Sequence, residues 1–135
     1  MKRLRHALLL LALLPAALFG APRQVRLEGT LTNTSIGDVP APARLELTID
    51  GDQVRGRLTT EKPLTGSGEV AGRFAGGWLE LAGELGEGVS VRLRGALSPA
   101  DYRGTYTAGL PGQLVQYGRF ELAIARSDGA APARR

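Results

Sequence analysis

The sequence contains no cysteine and a single histidine, His6. His6 belongs to a segment that reads MKRLRH and then ALLLLALLPAALF: a basic head, a thirteen-residue apolar run, then the small residues Gly20 and Ala21. That order is the order of a secretory signal peptide. The run falls short of the roughly 20 apolar residues a spanning helix needs. Residues 1–20 are therefore expected to be a cleaved leader, with cleavage near 20/21 and export to the periplasm or the medium. An uncleaved anchor is the other reading. No cysteine follows the run, so a lipoprotein signal is excluded.

With the leader gone the chain has neither cysteine nor histidine. Disulfides are then impossible even in an oxidising compartment. Cys–His and Ser–His–Asp nucleophile systems are absent, and so are nearly all zinc sites. Aromatic residues are sparse, at 5%. The excess of basic charge is small too. Of 17 Lys and Arg, three (Lys2, Arg3, Arg5) leave with the leader, so 14 stand against 13 acidic residues, a net +1. A nucleic-acid footprint needs a basic excess on one face, and none is expected here. About 115 residues remain, enough for one domain held by its core alone.

What is present is alternation. From Val25 onward the apolar period is two, the period of a strand with one buried face. In VRLEGTLT, Val25, Leu27, Gly29 and Leu31 alternate with Arg26, Glu28 and Thr30. ARLELTI repeats the pattern, and the Asp-Gly of DGDQ (Asp50–Gln53) suits a tight hairpin before Val54, Gly56 and Leu58. Further alternating runs end on Phe74, Leu85, Leu97, Tyr106 and Ile124. Between them lie AGG (Ala75–Gly77), GEG (Gly86–Gly88) and SPAD (Ser98–Asp101), all turn sequences. Two connections read as longer: Asn33–Pro42, and the loop AGLPGQLVQ (Ala108–Gln116). The tail 127–135, SDGAAPARR, is small and polar and reads as disordered.

The result is an all-β chain of eight strands joined mainly by short turns, which implies antiparallel neighbours and a meander. A single domain over residues 25–126 closes into an eight-stranded antiparallel meander barrel; a two-sheet β-sandwich shows the same alternation and is the alternative. The charged outer face excludes a transmembrane barrel, whose outside must be apolar.

Six runs carry a glycine at their centre, on the inward parity: Gly29, Gly56, Gly72, Gly83, Gly95 and Gly104. They can let the strands bend sharply enough to close, or leave room for a large side chain from across the barrel. The functional reading of the same gaps is a cavity for a ligand. Phe74, Trp78, Tyr102, Tyr106, Tyr117 and Phe120 are the candidate ligand-binding residues. Leu110, Leu114 and Val115 are candidate contact residues in the loop, which reads as a lid, a contact patch or a plug over the barrel mouth.

Arg55/Arg57 and Arg92/Arg94 lie two apart on the outer face and could grip an anion such as phosphate or a glycan acid. Cross-strand pairing with Glu46, Glu69, Glu80, Glu84 or Glu121 is the plainer reading, because acids and bases balance. NTS (Asn33–Ser35) matches the glycosylation sequon. The only catalytic acids and bases left are carboxylates. Glu80 and Glu84 point outward and Asp50 and Asp52 sit in a turn, so no glycosidase-type pair faces across a cleft. Asp50, Asp52 and Glu87 fall short of the six to eight oxygens calcium takes. The chain is expected to be no enzyme, with no cofactor and no metal.

The glycine-centred strands such as YRGTY and the closing YGRFELAI, behind a leader, resemble small exported bacterial β-barrel proteins, with an architecture similar to avidin and the lipocalins. The resemblance covers residues 25–126. It implies a barrel that binds a small apolar or amphipathic ligand at one end. A biotin-site constellation is missing, as is the lipocalin Gly-x-Trp near the first strand, so no ligand residue carries over. A structural or protein-interaction module of the cell envelope is the alternative function.

Overall fold

The computed structural model describes residues 21–127. The expected leader, residues 1–20, and most of the expected tail, 127–135, lie outside the described residues. Eight strands follow one another: β1 (Arg23–Asn33), β2 (Val39–Asp50), β3 (Gln53–Thr60), β4 (Gly66–Ala75), β5 (Trp78–Leu85), β6 (Val89–Leu97), β7 (Asp101–Leu110) and β8 (Gln113–Ser127). Each pairs antiparallel with the next, and β8 returns to β1, so the sheet is a closed barrel in sequence order. Closure removes the exposed edges that an open sheet would present. The turns β1–β2, β3–β4, β5–β6 and β7–β8 gather at one end; the other three turns, the start of β1 and the end of β8 gather at the opposite, terminal end.

Alternation decides what is inside. Leu27, Leu31, Leu45, Leu58, Leu79, Leu81, Leu93 and Leu122 are buried with Tyr102 and Phe120, and their neighbours in sequence, mainly Arg, Glu, Thr and Ala, are exposed or half-buried. Tyr102 and Phe120 meet edge to face, with ring centroids 4.6 Å apart, an arrangement aromatic pairs favour. The Tyr102 hydroxyl donates to the Leu79 carbonyl oxygen at 2.9 Å, reaching from β7 past β6 to β5. The Tyr106 hydroxyl donates to Oε1 of Gln116 at 2.7 Å. Among the described residues no buried side-chain nitrogen or oxygen lacks a partner.

The inward glycines have a single spatial rule. A Cβ built on Gly29, Gly56, Gly72, Gly83, Gly95 or Gly104 would overlap a carbonyl oxygen of the adjacent strand. The oxygens belong to Glu121, Glu46, Glu80, Glu69, Arg103 and Arg94 respectively, and Gly68 and Gly118 stand against those of Glu84 and Thr32 in the same way. These collisions fall on the seams β8/β1, β2/β3, β4/β5 and β6/β7. The intervening seams β1/β2, β3/β4, β5/β6 and β7/β8 have none. The barrel is thus four two-stranded ribbons joined at four corners where backbones approach too closely for any side chain. Gly95 and Gly104 face each other across one corner. The expectation that these gaps leave room for a large side chain or a guest is corrected: the gap at each is taken by the neighbouring main chain.

Two connections are shorter than the sequence suggests. Asn33–Pro42 contains only a 3-10 turn (Thr34–Ile36) and two further residues before β2 begins at Val39. The Asn33 side chain accepts from the Ser35 amide at 2.9 Å, and Gly37 closes the turn at φ 98°. Pro40 and Pro42 fit the strand because β2 there pairs with β1 alone; its pairing with β3 starts at Ala43, and a proline is tolerated where one side needs no amide. The stretch Ala108–Gln116 is no loop at all. β7 runs to Leu110 and β8 starts at Gln113, with Pro111 and Gly112 as the turn. A register shift at Ala108/Gly109 inserts one extra residue in β8. That bulge breaks the alternation, so apolar residues out of phase look like a loop in the sequence.

Candidate functional site

The six aromatic candidates do not form one site. Tyr102, Tyr106 and Phe120 are core residues, buried to 2% exposure or less. Phe74 is half-buried against the core near the terminal end. Trp78 and Tyr117 are outside the barrel, 47% and 51% exposed. Burial holds the Tyr102 phenol well above its ordinary pKa, with the Glu80 charge adding to the effect, and burial raises Tyr106 likewise. Both phenols stay protonated donors, to the Leu79 carbonyl and to Gln116.

Of the contact residues, Leu110 is exposed at the end of β7. Leu114 and Val115 belong to β8, and their side chains lie outside the described residues. No lid or plug covers the mouth there, because the segment is a hairpin. Ile36, exposed in the 3-10 turn, sits at the same end. The sequon asparagine is not available: Asn33 is buried, with its side-chain oxygen engaged by Ser35.

The outer wall falls into two unlike halves. Over β7, β8, β1 and β2, Arg26, Arg103 and Arg119 are paired, while Arg23 and Arg44 form no salt bridge among the described residues. Arg26 meets Glu46 at 3.1 Å, Arg119 meets Asp38 at 3.6 Å, and Arg103 lies between Asp101 at 2.9 Å and Glu121 at 3.7 Å. The Asp101 hydrogen bond, then the charges of Asp101 and Glu121, raise the Arg103 pKa. Over β3 to β6 only Arg73 has an ion pair among the described residues, with Asp52 at 2.6 Å. Arg57 donates to the Ser67 hydroxyl at 3.3 Å. Arg55, Arg92 and Arg94 form no salt bridge among the described residues. The cross-strand ion pairing expected for Arg55/Arg57 and Arg92/Arg94 does not form among the described residues; Glu46 and Glu121 pair instead with Arg26 and Arg103.

Register accounts for Arg55 and Arg92, whereas Arg94 stands opposite Glu80 and still forms no salt bridge among the described residues. Arg55 lies between Thr48 and Ala71, and Arg92 lies between Ala82 and Thr107. Neither has a carboxylate directly opposite. Ala71 and Ala82 face each other across the β4/β5 corner, so the row reads Arg55, Ala71, Ala82, Arg92 around the barrel. Glu69, Glu80 and Glu84 stand one row away on the same wall. Glu80 is occupied, accepting from the Trp78 indole N–H at 3.0 Å. A groove of about 450 Å³ opens over the Ala71, Ala82 and Arg92 part of this row, with Arg73, Trp78 and Glu80 also lining it and Arg55 beyond its lining. A second, of about 600 Å³, runs beside the β7–β8 hairpin past Glu84, Ser90, Thr107, Leu110 and Gln113.

No group of three or more acidic residues among the described residues could hold a metal ion. The sequence expectation missed Ala71 and Ala82 altogether. Their signal was a pair of small residues at outward positions in strands that otherwise carry charge outside. The chain matches no family model, no curated protein and no solved structure.

Proposed function

We propose that the protein is an exported, non-enzymatic binding barrel that recognises its partner with the outside of the barrel, as an interaction module of the cell envelope. The observation that carries this reading is the filling of the inward glycine positions by neighbouring carbonyls. Eight strands enclose a space that side chains alone can fill. A small apolar or amphipathic ligand inside would have to displace buried side chains such as Leu45, Leu93 and Phe120. The grooves over β4–β5 and beside the β7–β8 hairpin, by contrast, are open to solvent-exposed side chains. Kinship with small exported barrels similar to avidin and the lipocalins is, on this reading, a kinship of architecture without a shared interior site. Export rests on the leader-like residues 1–20.

Native mass spectrometry of the protein isolated gently from the organism that makes it tests the proposal. The expected spectrum is that of the polypeptide alone, starting near residue 21. A stoichiometric apolar guest that survives desalting and leaves on unfolding overturns the proposal in favour of an interior site.

A further inference from the structure

We infer that the outer-wall row Arg55, Ala71, Ala82, Arg92, with Trp78 at its side, binds an extended acidic glycan. This inference rests on the reading that the barrel works with its outside. Three features of the wall converge on that ligand.

The first is charge without partners. Arg55 and Arg92 have uncharged residues on both lateral sides, and neither forms a salt bridge among the described residues. A guanidinium with free N–H groups is suited to a carboxylate or sulfate, which it holds through two parallel hydrogen bonds. The second is separation. The two arginines are three strand spacings apart, about 14 Å at about 4.8 Å per spacing. One small anion cannot touch both, whereas a chain bearing an acidic group on successive units can. The third is the floor. Ala71 and Ala82 are the smallest side chains on the wall between them, and both are exposed. They leave a strip clear of long side chains over the β4/β5 corner, on which a sugar ring can lie. Trp78 borders that strip, 47% exposed and fixed by its hydrogen bond to Glu80. An indole held this way offers an apolar face to the ring while its polar edge is already satisfied.

The near-neutral balance of the chain favours a site of this kind over a general polyanion surface. Glu69, Glu80 and Glu84 flank the row and repel a polyanion that strays from it, which confines an acidic chain to the strip.

The test uses the leaderless protein in affinity electrophoresis through gels containing polygalacturonate, with a sulfated glycan and inorganic phosphate as parallel arms. The expected result is retardation by polygalacturonate, by the sulfated glycan, or by both, with inorganic phosphate failing to compete at equal charge concentration. The two glycan arms identify whether carboxylate or sulfate is the acidic group. In the double variant Arg55→Ala/Arg92→Ala the apparent affinity should drop at least about tenfold, as expected for loss of charge-assisted hydrogen bonds. Ala71→Glu, which blocks the floor while keeping both arginines, should drop it comparably. Arg26→Ala/Arg44→Ala on the opposite side, equal in charge change, should leave it within about twofold. Absence of retardation by either glycan overturns the inference. So does an equal loss in both double variants, which would mean net charge alone is read, and so does competition by phosphate. A guest-free native mass spectrum alongside a failed glycan test removes only the glycan assignment and leaves outer-wall recognition standing; an apolar guest removes both.

Discussion

The inside and the outside of this barrel obey different rules. Inside, space sorts the inward positions: mostly apolar side chains where strands are far enough apart, and glycine where the neighbouring carbonyl takes the place of the Cβ. Outside, positions are decided by charge: among the described residues one half of the wall pairs Arg26, Arg103 and Arg119 and leaves Arg23 and Arg44 without ion pairs, while the other pairs Arg73 alone and leaves Arg55, Arg57, Arg92 and Arg94 without them. The contrast teaches where specificity can reside. An interior of buried leucines and aromatic rings, with its glycine positions taken by backbone, holds the fold together. A wall with an uncovered arginine row can distinguish one partner from another.

The largest effect should come from breaking the inside. Gly104→Val places a branched side chain against the Arg94 carbonyl and the facing Gly95. Loss of about 4 kcal/mol or more is expected, read as a missing or strongly lowered unfolding midpoint in urea. A well-folded Gly104→Val protein would show that the corner tolerates a side chain.

Tyr102→Phe comes next. It removes the bond to Leu79 and leaves that buried carbonyl without its donor, for an expected loss of about 1–2 kcal/mol. The same variant has a pH signature. The folded pKa of Tyr102 is raised by burial. In the unfolded chain a tyrosine ionises around pH 10. The Tyr102 contribution to stability is therefore complete below about pH 10 and is lost as the pH climbs toward the folded value, because the unfolded state sheds its proton first. Tyr106 acts in the same direction. Unfolding of the wild type should become easier above pH 10, and Tyr102→Phe should flatten that decline; an unchanged decline would show that other groups set it.

Smallest should be the effects outside. Arg26→Ala breaks the pair with Glu46, whose partners are about half exposed. The expected cost is about 0.5 kcal/mol, shrinking in high salt. Arg92→Ala, with no pair to lose, should stay within about 0.5 kcal/mol of wild type at any salt concentration. A salt-dependent loss at Arg92 larger than that at Arg26 would mean the two halves of the wall do not differ as described.

Much of this could be read from residue order, and the misses have physical causes. Period-two alternation carried the strands, their inward faces and the meander, because a closed antiparallel sheet shows the same two faces everywhere. The role of Gly56 or Gly83 could not be read, because whether a Cβ meets a carbonyl or open space depends on how sharply adjacent strands coil. Ala108–Gln116 looked like a loop because one extra residue in β8 shifts the phase of Leu114 and Val115. Arg55 and Arg92 looked balanced because carboxylates are plentiful nearby; register alone places alanine and threonine beside them instead.

Gly56→Ala tests the central claim most directly, followed by urea unfolding. If the inward glycines are gaps, a single added methyl enters free space and stabilises the strand by roughly 0.5–1 kcal/mol. If the Glu46 carbonyl already occupies that place, the methyl forces two strands apart and costs about 2 kcal/mol or more. The account predicts the lower midpoint; a neutral or raised midpoint would contradict it.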